Sequence, residues 1–142
     1  MKSRIKVVIV LCAIILLGIA LFVLLVKSPE YTSTSFANKV IIELTDEVSP
    51  FSIEVENGDA IELINIFHNK QIMHDSISCP FGGARIILLS GDDELMLNPA
   101  GDDCPTVSIG RNFGGGYISL SENENERVRE ILVKYGITYP FV

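Results

Sequence analysis

Cys79 and Cys104 are the residues with the most specific chemistry in this 142-residue chain. Two cysteines 25 positions apart in one polar segment predict a disulfide that ties the stretch before one hairpin to the stretch after it. Each precedes a proline, Pro80 or Pro105, which favours extended backbone at both. The competing uses of the thiols are a nucleophile at Cys79, with His74 as its neighbouring base, or a soft-metal ligand. No C-x-x-C occurs, which speaks against thioredoxin-type exchange.

His68 and His74 are the only histidines, and Met73 and Asp75 adjoin the second. With the cysteines they could furnish nitrogen and sulfur ligands for zinc or copper, although their spacing fits no standard ligand pattern. Asp92, Asp93 and Glu94 mark one turn, and Asp102 and Asp103 another. If both turns met at one end of a sheet, their carboxylates would suit a hard cation such as calcium, without an EF-hand pattern. The glycine runs after Phe81 and Phe113 match no phosphate-cradling motif, so no cofactor is expected. Phe81 and Phe113 themselves could form an aromatic patch for a partner, or be core residues held by their turns. No G-x-S-x-G or other nucleophile-elbow context is present, so no catalytic residues are assigned.

Elements that position these residues can be read from periodicity. Val40–Leu44 and the alternating Phe51–Glu56 read as strands, and Asn57-Gly58 as a turn. Asp59 with Glu62 reads as the capped start of a helix that ends near Asn69. Ile86–Leu89 and Leu95–Leu97 form a hairpin about Ser90–Asp93, and Thr106–Arg111 and Tyr117–Leu120 are two more strands. The last helix has a Ser121–Glu124 capping box, apolar residues Val128, Ile131, Leu132 and Tyr135 at helical spacing, and Gly136 beyond its end. Runs of strands joined by short connections predict an α+β domain over 38–142, an antiparallel sheet covered on one face by two helices.

The composition is split. Residues 1–27 hold 21 of the hydrophobic residues, whereas residues 28–142 are about 41% hydrophobic, an ordinary value for a globular domain. All 18 acidic residues and seven of the 11 basic ones follow position 28, so that part carries a net −11, which excludes a generic nucleic-acid binder. Val7 to Val26 is uncharged and apolar, and 20 helical residues match a ~30 Å hydrocarbon core. Residues 1–6 with Lys2, Arg4 and Lys6 then form a cytoplasmic tail, 7–26 a single transmembrane signal anchor in the lipid bilayer, and 27–37 a polar linker. The run is longer than the apolar part of a signal peptide and lacks a small-x-small exit, so the anchor is expected to be uncleaved.

Cys79-Pro80-Phe81-Gly82-Gly83, Asp103-Cys104-Pro105, Tyr117–Ser121 and the closing Lys134-Tyr135-Gly136-Ile137 resemble small anchored exported proteins of Gram-positive bacteria. The resemblance implies a two-cysteine extracytoplasmic domain and brings no functional residues with it. The expected function is a membrane-anchored, extracytoplasmic, non-catalytic binding module with an unidentified protein partner. The alternatives are an exported metal-binding protein using His68, His74 and the acidic turns, or a thiol enzyme acting through Cys79.

Overall fold

The computed structural model describes residues 12, 14–22, 28–45, 50–110, 115–138 and 140. Residues 14–22 are helical (α1), and the order after them is β1 (Glu30–Tyr31), β2 (Lys39–Leu44), β3 (Phe51–Glu54), α2 (Asn57–Phe67) and β4 (Gln71–Ile72). β5 (Ala84–Ser90), β6 (Asp93–Pro99), β7 (Thr106–Ile109), β8 (Tyr117–Ser119) and α3 (Glu122–Lys134) follow. The α+β domain expected from the strand and helix patterns is present, with an antiparallel sheet of order β3-β2-β5-β6-β7-β8.

Register explains the core. Ile42 lies opposite Ile86, Ile86 opposite Leu97, and Leu97 opposite Ile109, so these side chains line one face. Val40, Leu88, Leu95, Val107 and Ile118 extend that face, and all are buried. Ala60, Leu63, Ile66 and Phe67 of α2 and Val128, Ile131 and Leu132 of α3 close over it.

α3 starts as its sequence predicts. Ser121 Oγ accepts from Glu124 N–H, and the Glu124 carboxylate accepts from Ser121 N–H at 2.9 Å. Gly136 follows at φ +95°, and Ile137 is buried against the core. α2 starts differently. Asn57 and Gly58 belong to its first turn, and its N-cap Glu56 makes no side-chain cap. The expected Asp59–Glu62 box does not form because cations on α3 engage both carboxylates. Lys134 donates to Asp59 at 2.7 Å, and Arg127 binds Glu62 in a bidentate pair at 2.6 and 2.9 Å.

Part of the segment read as a linker is docked on the domain. β1 pairs with β4, and Thr32 and Thr34 are buried. Their hydroxyls donate to the carbonyls of Phe67 and Ile64 at the end of α2. Beyond β4, Met73 bridges Tyr117, which places β4 beside the β8 edge.

The membrane-spanning anchor is corrected. Among the described residues no helix is long and apolar enough to cross a membrane. Of Val7–Val26 only residue 12 and residues 14–22 are described, and the basic tail lies outside the described residues. The single-pass topology, the cytoplasmic N-terminus and the extracytoplasmic placement of the domain rested on that span and fall with it.

Candidate interaction face

The cysteine expectation holds: Cys79 and Cys104 form a disulfide with their Cα atoms 6.2 Å apart. Cys104 precedes β7, and its Sγ lies 3.0 Å from the buried Thr106 Oγ1. In this oxidised form Cys79 offers no thiolate to attack a substrate or bind a metal.

The candidate metal ligands are dispersed. His68 caps the end of α2, where its Nδ1 is 3.2 Å from Thr34 Oγ1. His74 lies past β4, with its Nε2 3.4 Å from Glu30 Oε2. Asp92 and Asp93 sit at the β5–β6 turn, whereas Asp102 and Asp103 follow the far end of β6. Seven strand residues hold those turns about 20 Å apart, so the two acidic turns do not meet. Asp102 accepts from Cys104 N–H at 2.9 Å, and Asp103 pairs with Arg129 at 2.6 Å. Among the described residues no three His, Cys, Asp or Glu side chains gather closely enough to hold a metal ion.

Concave sites are equally unpromising for chemistry. An open cleft of about 360 Å³ is lined by Asp102, Asp103, Arg129 and Pro140, and Arg129 there is paired with Asp103. A depression of about 150 Å³ beside His74 is lined by Ser28, Pro29, Glu30 and Ile72. Phe81 is half-buried in a bridge to Ala100, and Phe113 lies outside the described residues, so the aromatic patch is not assembled from what is described.

The densest set of charges joins α2 to α3. Lys134 and Tyr135 both donate to Asp59, and Lys134 also reaches Glu56 at 3.1 Å. The Lys134 ammonium holds the Asp59 carboxyl below its ordinary range, and Arg127 does the same for Glu62. Arg127 and Lys134 are in turn held protonated above their ordinary values by these carboxylates. Partial burial opposes ionisation of Glu124, but hydrogen bonds from Lys70 and Ser121 outweigh it and lower its pKa. Burial and the Asp59 contact raise the Tyr135 hydroxyl. Every group in this clasp is satisfied by its neighbours, which suits a fastening between helices rather than a reacting centre.

The other face of the sheet is different. In a sheet covered on one side, outward positions alternate with the core and are polar. β2, β5 and β6 break that rule at their centres. Ile41 lies opposite Ile87, and Ile87 opposite Met96, on the side away from α2 and α3. Leu89 adds a fourth apolar side chain, and Ile87 is only 7% exposed. Gly110 crosses Met96, and a Cβ there would come within 3.0 Å of the methionine Cβ, so the glycine leaves the methionine its space.

Lys39 and Glu94 flank this strip toward the β5–β6 turn, and Glu43 and Arg85 flank it on the other side. Sequence reasoning took these strands as one-sided. The continuous run Ile86-Ile87-Leu88-Leu89 was the available signal, because such a run belongs to a strand covered on both faces. No protein-family model, curated protein or solved structure matches the chain.

Proposed function

We infer that the domain is a non-catalytic interaction module that binds through the outward face of its sheet. One observation carries this reading: three adjacent strands place Ile41, Ile87 and Met96 in a row where water-facing residues belong. Burying what Ile41, Leu89 and Met96 still expose above the buried Ile87 gains about 25 cal/mol per Å² of apolar surface, and the charged rim sets orientation. The disulfide and the helix clasp hold the presenting surface rigid, which lowers the ordering cost of binding.

A photo-crosslinking residue placed at Met96 of the full chain tests this reading, with Glu126 on α3 as the control position. Discrete adducts from position 96 and none from 126 are expected. Equal labelling at both positions overturns the proposal. So does a hydrolytic or redox activity of the pure protein that one substitution abolishes.

A further inference from the structure

Given an outward face that binds, its charge pattern selects the occupant: we propose that a second copy of this chain packs on it, sheet against sheet, about a two-fold axis. This rests on the interaction-module reading and adds the identity of the partner.

Register arranges the face in three rows across the strands. Lys39, Leu89 and Glu94 form one row, and Glu54, Ile41, Ile87 and Met96 the middle row. Ser52, Glu43, Arg85, Asn98 and Ser108 form the third. An axis lying along the middle row exchanges the outer two rows between copies. The partner's Glu43 then faces Lys39, and Lys39 of the partner faces Glu43. Glu94 faces the partner's Asn98, with the partner's Arg85 one strand away. Every residue of the middle row meets its own counterpart, as an isologous contact requires: Ile41, Ile87 and Met96 at its centre, and Glu54, paired with Lys39 of its own chain, at its edge. Sheets packed face to face stand ~10 Å apart with nearly aligned strands, a gap that opposed lysine and glutamate side chains bridge.

The charges concerned have capacity for this. Glu43, Arg85 and Glu94 enter no side-chain ion pair or hydrogen bond among the described residues. Lys39 binds Glu54 at 2.8 Å with one of its three ammonium donors and remains 42% exposed. A basic partner would answer the net −11 of residues 28–142, but it would meet Lys39 and Arg85 on the face itself. A copy of the same face sets Lys39 against Glu43 twice and brings Arg85 within one strand of Glu94.

The size of the patch sets the strength. Strands β3, β2, β5 and β6 with three rows cover on the order of 400 Å², about half of the ~800 Å² per partner of a standard interface. The like net charges of the two copies also repel, with a reach limited to ~8 Å at physiological salt. The pair is therefore weak and concentration-dependent.

Light scattering on the full chain over a concentration series tests the assignment, with Glu43→Lys and Glu43→Lys/Lys39→Glu as variants. Thermal melts check that each variant is folded. The wild-type mass should rise toward a dimer with concentration. Glu43→Lys sets two lysines against each other and should weaken association at least about tenfold. The double exchange restores opposite charges across the axis and should recover most of that loss. A wild-type chain that stays monomeric, association indifferent to both variants, or a double variant no better than the single one overturns the proposal. If the chain is monomeric while position 96 crosslinks to a different protein, the second copy is excluded and the interaction module stands.

Discussion

Gly116 shows how one residue can hold two segments together. Its φ of +106° lies where side chains are strained, and a Cβ on it would come within 2.7 Å of the Met73 carbonyl oxygen. Met73 N–H donates to Tyr117 O, and Tyr117 N–H donates back to Met73 O, so the close approach fixes the seam between β4 and β8. Gly116→Ala meets both the strain and the clash, and should destabilise the domain by more than about 1 kcal/mol. Gly82→Ala serves as the comparison, since a Cβ there meets nothing within 4 Å and its φ is ordinary. Chemical denaturation of the two variants gives the difference, and equal midpoints would contradict this account. In the sequence Gly116 is one of three consecutive glycines that read only as a loose turn. The seam that demands it involves residues 43 positions away, and no local pattern reports such a contact.

Elements differ in how openly their residues announce them. α3 was legible because its stop and start signals and its apolar spacing all lie within the helix. The central strands were legible from their β-branched and aliphatic runs. The start of α2 was misread because Asp59 and Glu62 carry a capping pattern but serve partners on α3. β1 and β4 were not legible at all, since two-residue strands have no period. The α2–α3 clasp has a pH consequence. Asp59, Glu62 and Glu124 have lowered pKa values, so their contribution is fully present above the ordinary carboxylate range near 4 and is lost as pH falls through their folded values. Arg127 and Lys134 have raised values, so their contribution is intact below the ordinary lysine and arginine range and is lost only in stronger alkali. Urea midpoints should hold level from about pH 5 to 10 and fall below about pH 4. Asp59→Asn should flatten the acid limb, and an unchanged limb would remove the clasp as its source.

At the scale of the whole molecule, the disulfide encloses β5 and β6, the two strands that carry most of both sheet faces. Closing a loop of 25 residues removes freedom from the unfolded chain worth on the order of 3 kcal/mol. Reduction should lower stability by about that amount while the α3 helix signal persists, as denaturant titrations with and without reductant would show. No loss on reduction would mean that the bridge adds no constraint the sheet lacks. The acid excess of residues 28–142 was legible by counting. How its charges divide between the helix clasp and the outward sheet face was not, because pairing depends on which elements become neighbours.

The docked segment from Glu30 to Thr34 also determines how the molecule would answer a mechanical load. A pull on the chain ahead of Glu30 acts first on a two-residue strand and on the hydroxyl bonds of Thr32 and Thr34. Those few bonds can open in sequence, like a zip, while β2 and the strands beside it bear no tension. The first extension would release about five residues of slack and leave the six-stranded sheet, with its outward face, intact. Under such a load the joint would have a yield point, set by the bonds that tie the segment to β4 and the end of α2.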